Sequence, residues 1–295
     1  MTQNYLEYML TKPNELTAYI KETPIAYIPF GALEWHGDHM ILGVDSLKST
    51  FLCKKCAETT GGVLFPCVNW GAFDTMNFPF TFHFKKKALI GITMNMMKQL
   101  YNMGFRVVIL LTGHYPGSQV SNVKKAAQRF TKKYKAKGGF ALGIPEQALI
   151  SDLGYLGDHA AHWETSIMMA IDPQFVDLNR LTPNLTYSER CARHGVMGKD
   201  PLVHASSELG QKAIDENVKR LSKAIQEVRE TQSPKPFDNI YEQYQKTLGN
   251  FYTPKIIFHL DKLFEIVGFE NKHELWSYLK WTLFKKKRPI LDYKS

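Results

Sequence analysis

Residues 104–114, which read GFRVVILLTGH, give the clearest indication of the fold. Residues 105–111 form a short apolar run that is rich in β-branched side chains and is bounded by glycine on both sides. This pattern is typical of a strand buried inside a parallel sheet. His114 then stands at the carboxyl end of the strand, the edge at which open α/β sheets bind their ligands. A single histidine there is more often structural, so its neighbours must decide its role.

On either side of this strand, strand-like and helix-like patterns alternate. The predicted strands are 24–30, 63–69 and 140–144. The predicted helices are 46–59, 88–102, 121–132, a helix that contains Glu164, and 207–231. Strands that alternate with helices predict an α/β fold with a mainly parallel sheet covered on both faces.

A second segment, residues 28–39, reads IPFGALEWHGDH and is followed by Asp45. Glu34 and His36 are two residues apart, so on extended backbone their side chains point to the same side. Asp45 can fold back onto them because Gly43 allows a turn. Oxygen and imidazole ligands together suit Zn, Mn or Fe better than Ca or Mg. A chance cluster in a polar loop is the alternative, since short motifs give many false positives.

A third segment, residues 158–166, reads DHAAHWETS and runs into an apolar helix. Acids beside a helix N-terminus are favoured by the helix dipole, so simple capping is the alternative for Asp158 and Glu164. Capping does not account for the two histidines, His159 and His162, in the same few residues.

Together, three segments resemble the creatininase (creatinine amidohydrolase) family. They are residues 31–45, residues 112–117 (TGHYPG) and residues 159–166, and they occur in the family's order with similar spacing. The resemblance covers roughly residues 20 to 230. It implies a three-layer α/β/α fold and a metal-dependent hydrolase of cyclic or other non-peptide amide C–N bonds.

The resemblance also implies how the metal ligands are shared. Glu34, Asp45 and His114 would hold one divalent metal, His36 would hold a second, and Asp45 would bridge the two. In creatininase a carboxylate for the second metal comes two residues after the strand-end histidine.

Here that position is Pro116, which cannot be a ligand. Either Glu164 completes the second site, or the protein works with one metal, so one or two ions of Zn, Mn or Fe are expected. The departure argues against creatinine as the substrate. The family also contains formamide-type deformylases and peptide-processing relatives, and the sequence does not choose among them.

Amide hydrolysis requires an activated water and a proton for the leaving nitrogen. A bound divalent ion activates water at neutral pH, and a histidine can accept and return the proton. By the resemblance, His159 is the proton shuttle and Asp158 is the acid that precedes it. Either Asp158 or Glu164 is placed to orient His159.

The substrate pocket is predicted from three aromatic residues. Tyr115 matches a family position that faces the substrate, and Trp35 and Trp163 are the other candidates. Plain core packing is an equal alternative for each of them. The loop 74–84, rich in Phe and His, is expected near the carboxyl edge of the sheet, where it reaches over the site or packs between subunits.

Composition bounds the remaining possibilities. The 295 residues are 44% hydrophobic, enough for one large core or for one domain with an appendage. No run approaches the roughly 20 apolar residues of a membrane span, and the N-terminus lacks the pattern of a signal peptide, so a cytoplasmic protein is predicted. The net charge is +9, but the basic residues are dispersed, which favours a solvated surface over nucleic-acid binding.

A break at residues 233–236 (SPKP) predicts two parts, a domain over 1–232 and a helical C-terminal extension over 233–295. The extension contains predicted amphipathic helices at 256–267 and 274–284. It packs against the core, forms an oligomer interface, or contacts a membrane surface or an acidic partner. Family members tend to form hexamers, so a homo-oligomer, and a hexamer in particular, is expected from the resemblance.

The sequence is compatible with two functions. The first is a metal-dependent hydrolase of a small-molecule cyclic amide or formamide. The second is a non-catalytic member of the family that serves as a binding or assembly subunit. All five candidate ligands are chemically competent, and this favours the enzyme.

Overall fold

The protein is built on one parallel five-stranded sheet. A computed structural model describes residues 4–71 and 78–252, with side chains as far as residue 247. In chain order the strands are β1 (Leu6–Glu7), β2 (Ile25–Phe30), β3 (Val63–Leu64), β4 (Val107–Thr112) and β5 (Phe140–Pro145). Their spatial order is β1-β3-β2-β4-β5, and every neighbouring pair is parallel.

Helices connect the strands and cover the sheet. They are α1 (Pro13–Glu22), α2 (Val44–Thr60), α3 (Lys86–Met103), α4 (Gly117–Tyr134), α5 (His162–Ile171), α6 (Tyr187–His194), α7 (Pro201–His204), α8 (Ser207–Thr231) and α9 (Lys235–Tyr252). Short 3-10 segments lie at Tyr8–Leu10, Lys135–Lys137, Glu146–Leu153, Pro173–Phe175 and Leu178–Arg180.

The side chains of β4 alternate between two cores. Ile109 and Leu111 belong to a core shared with α2, α8 and α9, whereas Val108 and Leu110 belong to a core shared with α3 and α4. All six residues of β4 are buried, because both faces of the strand are covered. The predicted three-layer α/β/α fold with a mainly parallel sheet is therefore confirmed.

The strand register brings three carboxyl ends level with one another. β2 pairs with β4 from Ile25 opposite Val107 to Phe30 opposite Thr112, and β4 continues the same alignment with β5. The chain leaves β2 towards β3 on one side and then returns to β4 on the other. The carboxyl edge between β2 and β4 is therefore the topological switch point, where ligands bind in open α/β sheets.

Most predicted elements agree with the structure to within two residues, but two do not. The strand predicted at 63–69 pairs regularly only over Val63–Leu64, since Pro66 has no N–H for the ladder. Helix α4 starts at Gly117, four residues before the predicted start. The two-residue strand β1 was not predicted, because two residues carry no periodic pattern.

The first part of the C-terminal extension packs against the sheet. Helix α9 begins at Lys235, within the predicted break at 233–236, and its Phe237 is buried in the main core. The hydroxyl of Tyr241 accepts the N–H of Gly143 on β5 at 3.0 Å and lies 3.1 Å from the Gly143 carbonyl oxygen. Core packing, one of the three predicted uses, therefore holds for this part.

The expectations for the rest of the extension stay predictions from the sequence. The predicted helices at 256–267 and 274–284 lie outside the described residues, and the domain limit at 232 stays a prediction. Within residues 4–71 and 78–252, no helix combines the length and the apolar character that a membrane crossing requires.

Candidate metal centre

Three predicted ligands meet at the carboxyl edge between β2 and β4. Glu34 follows β2, His114 follows β4, and Asp45 lies in the first turn of α2. The Nδ1 atom of His114 is 2.9 Å from Asp45 Oδ2 and 3.1 Å from Glu34 Oε2. All three residues are at most 3% exposed. These three side chains form a first buried group of possible metal ligands, called the first donor set below.

A second donor set shares Asp45 with the first. His36 Nε2 lies 3.4 Å from the other carboxylate oxygen of Asp45, Oδ1, and 3.5 Å from Glu164 Oε2. His36 Nδ1 is 3.0 Å from the carbonyl oxygen of Glu34, which can only accept a hydrogen bond. The Nδ1 atom therefore carries a proton, and Nε2 is the ring atom that faces the carboxylates and can bind a metal.

A glycine allows the strand end and the helix start to come this close. A Cβ atom on Gly113 would lie 2.2 Å from the carbonyl oxygen of Asp45, a distance that no real side chain permits. Glycine at this position therefore brings His114 beside Asp45. The sequence shows a glycine after the strand, but it gave no indication of which part of the chain this glycine contacts.

The pKa values in the centre show that it favours positive charge. Burial by itself raises the pKa of the Asp45 carboxyl, but His36 and His114 hold that pKa well below its usual range. Burial lowers the pKa of each imidazole, yet Asp45 and the other carboxylates raise the pKa of His36 to about 9 and that of His114 to about 10. Buried acids that hold both histidines cationic would equally stabilise a bound metal cation.

The donor chemistry fits a divalent transition metal. In each set the ligand atoms lie within 4.8 Å of one another. Asp45 Oδ2 is buried and lies 2.9 Å from His114 Nδ1, so these two ligand atoms of the first set are close enough to share one ion. Mixed imidazole and carboxylate donors suit Zn, Mn or Fe.

His159 lies beside the second donor set, held by its backbone and by two rings. Its N–H donates to the Met197 carbonyl at 3.1 Å, and its own carbonyl accepts the Met197 N–H at 2.8 Å. The imidazole lies 4.4 Å from the ring of His36 and stacks on Phe78 at 4.5 Å. Burial and the neighbouring His36 lower the pKa of His159 to about 4. The ring is therefore neutral at pH 7, and its buried Nε2 has no hydrogen-bond partner among the described residues.

Asp158 is placed to hold the start of α5. Its two carboxylate oxygens accept the N–H groups of Trp163 at 2.9 Å and of Glu164 at 3.3 Å. This matches the capping interpretation, and it makes Asp158 a positioning group for Glu164. Its predicted catalytic role stays a prediction.

The predicted pocket residues separate into different places. The ligand side chains open into a cavity of about 270 Å³ whose other described walls are Phe78, Tyr115, Pro116, Asp158, His159 and Met197. Trp35 is buried against Gly195 and Phe78, and it does not line this cavity. Trp163 stacks on Tyr155 and lines a separate cavity on the far side of α5. Packing thus dominates the surroundings of both tryptophans.

The predicted loop 74–84 reaches the site through Phe78, whereas its residues 74–77 lie outside the described residues. Phe78 was missed as a wall residue because an aromatic residue in a loop carries no chemical signal. Its position in the loop after β3, towards the carboxyl edge, was the available hint.

Sequence reasoning also missed a buried charged cluster behind Glu164. Lys48 of α2 and Glu146, directly after β5, are both completely buried. Lys48 Nζ lies 2.7 Å from Glu164 Oε1 and 3.1 Å from Glu146 Oε1. Two signals were available. Lys48 is three residues after Asp45, which puts both side chains on one face of α2. Glu146 directly follows β5, in the same way that His114 follows shortly after β4.

Comparison with known proteins places this chain in a family. The family model Creatininase, described as creatinine amidohydrolase, matches residues 10–225. The chain belongs to the creatininase family. A creatinine amidohydrolase of Pseudomonas putida is 30% identical over 178 aligned positions, and the match covers 53% of this chain and 68% of that protein.

Other creatininase relatives are more distant. The 3-dehydro-scyllo-inosose hydrolase of Thermotoga maritima is 25% identical over 183 residues, and the match spans 58% of this chain and 57% of that protein. A crystal structure of creatinine amidohydrolase superposes with a TM-score of 0.62 at 24% identity, covering 75% of this chain and 96% of the other. A creatininase variant described as of the Zn-Zn type gives a TM-score of 0.58 at 25% identity, covering 79% and 100%.

Proposed function

We propose that this protein is a metal-dependent hydrolase of a small cyclic amide or formamide-type substrate. This proposal rests mainly on the two buried donor sets that share Asp45 at the carboxyl edge of the sheet. The family and the Pseudomonas putida relative support a hydrolase that acts on C–N bonds other than peptide bonds. The two relatives described above are named for different substrates, so membership of the family does not fix the substrate.

In this proposal the two donor sets hold two divalent ions. Glu34, Asp45 and His114 hold the first, and His36, Asp45 and Glu164 hold the second. Creatininase structures described with Mn and as Zn-Zn type support Mn or Zn as the ions to test. When bound, such ions lower the pKa of water towards 7 and polarise the substrate carbonyl.

His159 would move the proton. Its neutral ring lines the cavity, and its Nε2 atom has no hydrogen-bond partner among the described residues, so the ring can accept the proton of water as the new C–O bond forms. It then returns this proton to the nitrogen as the C–N bond breaks, which gives an acid and an amine. Phe78 and Met197 fix the ring in place through stacking and backbone hydrogen bonds.

The cavity limits the size and charge of the substrate. Its volume of about 270 Å³ lies just below the range of typical small-molecule sites. Among the described residues, no lysine or arginine lines it. A small neutral amide is therefore the proposed substrate class, and Pro116 in place of an acid still argues against creatinine. Homo-oligomer formation and a cytoplasmic location stay predictions from the sequence.

The direct test is a hydrolysis screen with and without metal. The purified protein is stripped with a chelator, reloaded separately with Zn²⁺ or Mn²⁺, and incubated with small cyclic amides and formamides, creatinine included. Ring opening or formate release is followed by proton NMR. We expect turnover of at least one amide by the reloaded protein and none by the stripped protein. Metal uptake without hydrolysis across the panel would favour the non-catalytic binding subunit.

A further inference from the structure

The cluster behind the metal centre contains a cation that the proposed chemistry does not use. The side chains of Lys48 and Glu146 are both 0% exposed, and that of Glu164 is 1% exposed. The hydroxyl of Tyr115 accepts from Lys48 at 2.5 Å and donates to Glu146, while Tyr155 lies 2.5 Å from the same hydroxyl. A fully buried lysine is uncommon and requires paired charges.

The two oxygens of Glu164 are used differently. Oε1 faces Lys48 Nζ at 2.7 Å. Oε2 accepts the N–H of Ala160 at 2.8 Å and lies 3.5 Å from His36 Nε2. One oxygen is therefore held by a fixed charge, and only the other faces the second donor set.

We propose that Lys48 is a positioning residue that restricts Glu164 to one metal-facing oxygen and thereby sets the affinity of the second metal site. This inference rests on the proposed function. Without Lys48, the Glu164 carboxylate loses its charged anchor and can rotate away from His36. Glu146 has a separate role, because it pairs with Lys48 at 3.1 Å and helps to balance the lysine charge.

The test is a titration of metal-free protein with Zn²⁺ alone, followed by calorimetry, so that it needs no substrate. In Lys48→Met we expect the second equivalent to bind about 10- to 100-fold more weakly and the first to bind unchanged, as is common when a group that orients a ligand is lost. The matched control is Lys55→Met, on the same helix, where Lys55 pairs with Glu58 at the surface at 2.9 Å.

Because Lys48→Met alone removes the cation that pairs with both Glu146 and Glu164, the double variant Lys48→Met/Glu146→Gln is measured as well. If Lys48 acts on Glu164, the second equivalent stays weak in the double variant, although the excess charge has gone. Wild-type affinity for both equivalents in the double variant would overturn the inference and leave the binuclear proposal intact. A wild-type protein that binds fewer than two equivalents would overturn both.

Discussion

Asp45→Asn is expected to lower hydrolysis by at least about a thousandfold, roughly 4 kcal/mol of transition-state stabilisation. Asp45 is the residue that both donor sets share, with one oxygen 2.9 Å from His114 and the other 3.4 Å from His36. The asparagine keeps the size of the side chain but provides one neutral oxygen in place of two charged ones. Both metals should therefore bind more weakly at once, which elemental analysis and initial rates would measure.

The control for this variant is Asp215→Asn on the exposed face of α8, which removes the same charge far from the centre. It should leave metal content and rate unchanged. An Asp45→Asn protein with a full metal content and a wild-type rate would show that Asp45 is not a bridging ligand.

His159→Ala is expected to reduce hydrolysis by roughly a hundredfold to ten-thousandfold, the usual contribution of a general acid–base group. Metal content should stay at the wild-type level. Removal of the ring also opens space against Phe78 and His36. Added imidazole should therefore restore part of the rate, and this can be measured as a dependence of rate on imidazole concentration.

This variant also distinguishes the shuttle from a ligand, since His159 lies within ligand distance of Glu34 and His36. Loss of a metal equivalent in His159→Ala would make His159 a ligand. His204→Ala, on the exposed helix α7 outside the cavity, is the control and should retain both rate and metal.

The fold was predictable because its decisive strands are buried on both faces. Residues 107–112 and 140–145 are continuous apolar runs, and such runs carry the signal of a parallel sheet directly. The short edge strands were less predictable. β1 has two residues, and Pro66 ends β3 early, so their pairing depends on neighbours that the local sequence does not reveal.

The donor atoms were predictable in part because parallel strands end at one edge of the sheet. Glu34 and His114 follow neighbouring strands, and Asp45 follows a glycine turn, so their meeting follows from the topology. The contact between Glu164 and His36 depends on how α5 lies against the loop between β2 and α2. The resemblance suggested this contact, and spacing alone does not specify it.

The two sequence signals near Lys48 and Glu146 were too weak to predict the charged cluster. A lysine in a helix with mixed polar positions normally indicates a solvated face. The three-dimensional arrangement shows that Lys48 points inward to two acids, one directly after β5 and one in α5.

Elemental analysis of the reloaded wild-type protein beside Glu164→Ala is the sharpest test of two metal ions that share Asp45, with Glu164 completing the second site. We expect two equivalents per chain in the wild type and one in the variant. One equivalent in both proteins would place Glu164 outside the metal site and contradict the binuclear centre.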